Sequence, residues 1–225
     1  MGTGNETANG ETGGGPYPLT EPDWLGQRPF TDGTAQISVV IPTIRPRRRM
    51  LSRAVGSVGR QTLLPTALYL VDDRGKEGSA PTRQRGTDHV TTPYVAYLDD
   101  DDELLPSHLD HLVAALELTG ADLVYPWFEV VGGLDPLAEH AGVPWDDAAP
   151  HTIPVTFLAR TDAVREAGGW WFDPADPNQQ QVGGEDDRLL RGLLGNGAKI
   201  VHLPEVTWRW HHHGENTSGL PTRWA

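Results

Sequence analysis

Tyr94-Val95-Ala96-Tyr97-Leu98, followed at once by Asp99-Asp100-Asp101-Asp102, is the stretch on which the reading of this chain turns. An apolar run of this length reads as a buried strand, and it ends in a block of four carboxylates. Like charges crowded at a sheet edge are costly unless a cation or a set of donors meets them. Carboxylates together with substrate phosphates are the usual way proteins hold Mg²⁺ or Mn²⁺, so the block suggests a nucleotide–metal site. The plainer reading is a solvated cap ahead of a helix beginning near Pro106, since Asp favours helix starts and Pro the first helical position.

Working outward from the block, the same strand signature recurs. Ile37-Ser38-Val39-Val40-Ile41 is a β-branched run closed by Pro42. Ala67 to Val71 forms a second, ending in Asp72-Asp73. Between them Met50, Leu51, Ala54, Val55 and Val58 recur at helical spacing. Leu109, Leu112, Val113 and Leu116 mark a further helix stopped near Gly120, and Ala121 to Trp127 a further strand. Val155 to Ala159 reads as extended, and Leu189, Leu190, Leu193 and Leu194 as the apolar face of a helix ending near Gly195. Lys199 to Leu203 and Val206 to Trp210 are expected as two closing strands. Strand–helix alternation in the first half predicts an α/β domain with a mostly parallel central sheet flanked by helices. In such sheets ligands gather at the carboxyl ends of strands, where the acidic residues lie.

The 225 residues fit one domain. Residues 1–16, rich in Gly, Thr, Asn and Glu, read as a disordered tail, and 17–35 as an irregular arm carrying Tyr17, Leu19, Trp24, Leu25 and Phe30. Residues 36–225 are expected to form the folded domain, with 36–106 as a nucleotide-binding half and 107–225 as an acceptor and catalytic half. The net charge of −13 argues against nucleic acid as a partner. The absence of cysteine excludes disulfides and thiolate metal sites. Neither a signal-peptide pattern nor an uncharged apolar run of about 18 residues is present, so a cytoplasmic protein without a membrane span is expected. Two sequons, at Asn5 and Asn216, read as chance matches in that setting.

Five segments in order carry a resemblance to a known family. Ile37 to Thr43, Val71-Asp72-Asp73, and Tyr97-Leu98-Asp99-Asp100-Asp101-Asp102 with Leu105-Pro106 come first; Gly184-Glu185-Asp186-Asp187-Arg188-Leu189-Leu190 and Trp208-Arg209-Trp210-His211-His212-His213 with Ser218 follow. Together they resemble the family 2 glycosyltransferases of the Rossmann-like GT-A fold, over residues 37 to 218. The resemblance implies an inverting transferase that moves a sugar from a nucleotide-diphospho-sugar donor, with UDP as the commonest nucleotide, to an acceptor hydroxyl or amine. It implies that Pro42 and Thr43 line the nucleoside pocket, that Asp73 meets the base, and that Asp99 and Asp100 approach the ribose. Asp101, within the acidic DXD pattern, would meet a Mn²⁺ or Mg²⁺ cofactor. Asp186, beside Glu185, would be the catalytic base. The chain departs from the family between Asp73 and Arg83, where an extra helix and strand are usual, so the sheet is expected to be trimmed between its second and third strands.

The residues suit that chemistry. A divalent metal on Asp101 stabilises a diphosphate leaving group, and an imidazole can share it, Mn²⁺ tolerating one better than Mg²⁺. His213 is the candidate, by its five-residue offset to Ser218, with His211 the alternative; the opposing reading is a polar surface loop. A base such as Asp186 contributes roughly 10²–10⁴-fold, although acidic residues at a helix start are also favoured by the helix dipole. Arg83 and Arg85 suit diphosphate. Arg45 lies two positions after Thr43 and is a candidate donor contact, whereas Arg47, Arg48 and Arg49 read as a solvated helix start. Trp170 and Trp171, after Gly168-Gly169, are candidates for an acceptor surface, because aromatic faces stack on sugar rings. The short stretch after the His segment favours a protein or soluble glycan acceptor. Two other readings remain open: a non-catalytic nucleotide-sugar binding protein, and a sugar-nucleotide nucleotidyltransferase. The second is disfavoured because Pro42-Thr43-Ile44-Arg45-Pro46 stands where that class has a Gly-rich phosphate loop.

Overall fold

β-branched and aromatic runs become strands here because the central ones are buried on both faces, while the edge run Ala67 to Asp72 stays partly exposed. The computed structural model describes residues 36–44, 47–135, 137–170, 184–213 and 216. Strand β1 (Ile37–Thr43) is followed by helix α1 (Arg48–Val58), strand β2 (Ala67–Asp72), helix α2 (Ser79–Asp88) and strand β3 (Tyr94–Tyr97). Next come a two-residue strand β4 (Glu103–Leu104), helix α3 (His108–Thr119), strand β5 (Leu123–Val131) and strand β6 (Leu158–Arg160). Helices α4 (Thr161–Glu166) and α5 (Gly184–Gly195) precede the last strand, β7 (Ile200–His211).

The strands form one seven-stranded sheet in the order β2-β1-β3-β6-β5-β7-β4. β1 lies parallel to β2 and β3, and β5 parallel to β7, whereas β6 is antiparallel to both its neighbours and β4 is antiparallel to β7. The domain is α/β as expected, but its sheet is mixed and not mostly parallel. The reason is β6: it enters from a long loop, 132–157, between the two parallel groups, and runs against both. β2 is the sheet edge, and α2 alone stands between it and β3, in keeping with the trimming expected there.

Two local departures have clear causes. Ile200–His211 is one strand where two were expected: Pro204 sits where the pairing of β7 with β5 shifts register, between the Tyr125–His202 and Trp127–Val206 pairs. A proline cannot donate to a ladder, and an irregularity removes the need for it to do so. Helix α2, Ser-Ala-Pro-Thr-Arg-Gln-Arg-Gly-Thr-Asp, has almost no apolar stripe and was not expected as a helix. It forms because Gly86 lets it press onto β1 and β2, where a Cβ would collide with the Val40 side chain.

The passage from β3 to β4 positions the site. Only residues 98–102 separate these strands, yet they stand four places apart in the sheet. A flat sheet would place them about 19 Å apart, and the connecting segment is shortened by a turn, Asp102 N–H to Asp99 O at 3.2 Å. The sheet therefore curls, and the aspartate block lies in the curl between the end of β3 and the end of β7. No helix among the described residues is long and apolar enough to cross a membrane.

Candidate active site

The aspartates of the block meet partners from distant parts of the chain, and Asp100 and Asp101 share one of them. Asp99, at the end of β3, accepts from Arg83 Nη2 of α2 at 2.6 Å. Asp100 accepts from the Thr43 hydroxyl at 2.7 Å and from Arg47 Nη1 at 3.1 Å. Asp101 Oδ2 meets both Arg47 Nη1 and His213 Nε2, each at 3.0 Å. Asp102 Oδ1 accepts the backbone N–H of His211 at 2.9 Å. The Arg53 guanidinium donates to the main-chain oxygen of Asp101. Asp100, Asp101 and Asp102 are all buried.

Among the described residues the positive charge around the block falls short of the negative. Burial pushes the Asp101 carboxyl up, Asp99 adds to this, and Arg47 and His213 only partly oppose it. Asp102 is pushed well above the usual carboxylate range, first by burial and then by Asp101 and Asp99. For Arg47, burial works against the charge, but the summed pull of Asp101, Asp100 and Asp99 outweighs it and raises the guanidinium above its ordinary value. Asp99, Asp101 and Asp102 each offer a carboxylate oxygen, all within 4.8 Å of one another. Buried hard oxygen donors with a deficit of cations fit a divalent metal such as Mg²⁺ or Mn²⁺.

The histidine alternatives separate cleanly. His213 turns its Nε2 to Asp101, whereas the His211 ring lies toward Glu103, at 3.6 Å. Asn216, 6% exposed, shapes the turn that aims His213. Its side-chain oxygen accepts the His213 backbone N–H, and its Nδ2 donates to His211 O at 3.2 Å.

Arg83 is the hub of the other side. It is buried, pairs with Asp99, and lies 3.8 Å from Asp186 Oδ1 through its second nitrogen. Its guanidinium stands over the Trp170 ring at 5.0 Å from the centroid. Trp170 is 1% exposed, edge-on to Tyr97 and stacked with Phe157, so its indole supports Arg83 from below and offers no face to solvent. Its backbone N–H donates to Gln84 Oε1 at 2.6 Å, and this close passage requires the positive φ and missing Cβ of Gly169.

Of the remaining sequence candidates, Pro42 and Thr43 close β1 beside Asp100. Asp73 turns its carboxylate to the backbone N–H groups of Glu77 and Gly78, at 2.9 and 3.0 Å, and so holds the β2–α2 loop. Arg45, Trp171, Ser218, the Glu185 side chain and residues 1–35 lie outside the described residues.

Sequence reasoning missed four participants. Arg47, expected to be solvated, is instead bridged to two buried carboxylates. Its only signal was a basic run directly after the first strand. Arg53 gave no signal beyond being polar in a helix, and Gln84 none beyond standing between Arg83 and Arg85. Asn216 carried one, as a turn-former between His213 and Ser218.

With this geometry described, comparison with known proteins is informative. Residues 73–172 match the family model described as Glycosyl transferase family 2, which bears out the resemblance read from the motifs. No curated protein matches the chain in sequence. The structure is similar to that of S. aureus TarS 1–349 in complex with UDP-GlcNAc, with a TM-score of 0.67 and 14% identity, covering 80% of this chain and 60% of that one. The complex of the same protein with UDP gives a TM-score of 0.65, 14% identity, and 79% and 60% coverage. Against longer TarS the TM-score is 0.64 at 16% identity, covering 79% of this chain and 37% of that one. The fold is thus of the GT-A type, and the chain spans well under two thirds of the length of these structural relatives.

Proposed function

We propose that this chain is an inverting glycosyltransferase that moves a sugar from a nucleotide-diphospho-sugar, with UDP as the nucleotide, to the hydroxyl or amine of an acceptor. A protein or soluble glycan is the acceptor class and the cytoplasm the location. The observation that carries the reading is the Arg83 guanidinium, which gathers Asp99 of the metal-type motif and Asp186 of the second acidic motif around one buried cation. The two carboxylates stand 87 positions apart (186 minus 99), so it is the fold and not local sequence that brings both acidic motifs to one cation.

In this reading Asp186 takes the proton of the acceptor group as its oxygen or nitrogen attacks the anomeric carbon. The bond from that carbon to the phosphate oxygen breaks, and its electron pair leaves with the diphosphate. Arg83 fixes the distance between base and donor side, and Trp170 fixes Arg83. Thr43 and Asp100 shape the end of β1 where the nucleoside would lie. Asp101 and His213, with Asp99 and Asp102 alongside, would hold Mn²⁺ or Mg²⁺, which when bound supplies Lewis-acid stabilisation of the departing diphosphate.

The test is a panel of UDP-sugars and other nucleotide sugars, assayed for nucleotide release and for binding, on the wild type and Asp186→Asn. Loss of roughly 10²–10⁴-fold in turnover with nucleotide affinity retained is the expected result. A wild type that binds a nucleotide sugar but turns over no faster than Asp186→Asn would make the chain a binding protein instead.

A further inference from the structure

Arg47 poses a problem for any metal at this site. One of its nitrogens, Nη1, serves two carboxylates at once, Asp100 Oδ1 at 3.1 Å and Asp101 Oδ2 at 3.0 Å. The same Asp101 oxygen also faces His213 Nε2 at 3.0 Å. A divalent cation shared by Asp101 and His213 would have to compete with the guanidinium for the Asp101 carboxylate, which Arg47 already holds. Arg47 is itself largely buried, its side chain 14% exposed, so it is a built part of the cluster. It sits at the start of α1, a helix end that favours anions.

We infer that Arg47 is an exchangeable counter-cation: it offsets part of the charge of Asp100 and Asp101 when the site is empty, and yields Asp101 to the divalent metal when the donor's diphosphate offers it a new partner. The inference rests on the transferase reading above and goes beyond it. Without donor, metal and guanidinium compete for Asp101, so metal binds weakly. With donor, Arg47 keeps Asp100 and turns its released N–H toward the phosphates. Metal and nucleotide therefore strengthen each other's binding, and the coupling passes through one side chain. The arrangement also keeps the buried carboxylates from being left uncompensated in the donor-free protein.

The experiment is Mn²⁺ binding by the full chain, followed by electron paramagnetic resonance of the free ion, with and without UDP. Wild type, Arg47→Gln, Arg47→Lys and Arg53→Gln are compared. Arg47→Gln should bind Mn²⁺ alone about tenfold more tightly than wild type, and UDP should then add little, whereas in wild type UDP tightens Mn²⁺ by about tenfold or more. Arg47→Lys keeps the charge on a compact ammonium that cannot serve both carboxylates as the guanidinium does. It should therefore fall between the two, and it carries the test if Arg47→Gln folds poorly. Arg53→Gln removes an equal charge that bonds the main chain of Asp101 and acts on Asp102, not on the Asp101 carboxylate that Arg47 holds, and should tighten Mn²⁺ much less. The inference is overturned if Arg47→Gln and Arg47→Lys bind Mn²⁺ no more tightly than wild type, or if Arg53→Gln matches them, which would reduce the effect to bulk charge. Wild type that binds Mn²⁺ with UDP while the Arg47 variants change nothing removes the exchange alone. Wild type that takes up no Mn²⁺ even with UDP removes both the exchange and the metal-dependent transferase reading.

Discussion

Two regions of this molecule bury titratable groups, and they manage the charge in opposite ways. At the aspartate edge the groups are clustered acids with arginine and histidine partners. On the β5–β7 side the buried histidines have no acid within reach among the described residues. His202 stacks on Tyr125 and bonds its backbone oxygen, and His108 bonds the Thr207 hydroxyl at 2.8 Å. Burial lowers His202 to about 4 and His108 to about 3, so both stay neutral. The first region holds charge in shared ion pairs; the second excludes charge so that the sheet can pack.

The sharpest way to break the contrast is to remove the hub of the charged region. Arg83→Leu leaves Asp99 and Asp186 without their shared cation and Trp170 without its cover, and should cost about 3–5 kcal/mol in chemical unfolding. Arg74→Leu, at an exposed pair with Asp72, should cost less than about 1 kcal/mol.

The two regions should also respond to acid with opposite signs. Folded His202 and His108 resist protonation until pH about 4 and about 3, while the unfolded chain takes those protons near the ordinary histidine value of 6.5. Their stabilisation is complete above that value and is lost as pH falls through the interval, by an amount on the order of 3 kcal/mol for His202. Asp101 and Asp102 are raised, so their penalty at neutral pH is relieved as pH falls. A stability–pH profile of His202→Phe should therefore be flatter on the acid side than that of wild type. A profile with the wild-type slope would show that His202 does not carry the acid loss.

Smaller effects sharpen the boundary between the regions. Gly86→Ala drives a Cβ into Val40 where α2 meets β1, and should cost about 1–3 kcal/mol without altering the histidine-dependent acid slope. Asn216→Ala should barely change stability, by about 1 kcal/mol at most. It should, however, weaken Mn²⁺ binding several-fold by freeing the turn that aims His213. Equal metal affinity in that variant would show that the turn is not what orients the ring.

Much of the framework was readable from local pattern alone. β1, β2 and β3 announce themselves as apolar runs, each followed by polar or acidic residues, of which those after β1 and β3 meet at the aspartate block, because strand periodicity and charge at a strand end are properties of neighbouring residues. The leucines of α3 and α5 place those helices for the same reason, and Gly120, at φ 65°, ends α3 where a left-handed residue is needed. α2 was not readable, since its helix is held by contact with β1 and not by its own apolar stripe. β7 was read as two strands because Pro204 breaks the local pattern, whereas pairing with β5 carries the strand past it.

What the sequence determined by itself is the chemistry available: an acidic block, a second acidic motif, a histidine segment and arginines between them, in an order that marks a family. Only the tertiary structure decided which of these groups meet. It turned His213 and not His211 toward Asp101, put Arg47 on two carboxylates, and buried Trp170 beneath Arg83. The physical reason is that strand and helix patterns are set by residues a few positions apart. The partner of a charge is set instead by the curl of the sheet, which carries residues more than a hundred positions apart (101 and 213) to within hydrogen-bonding distance.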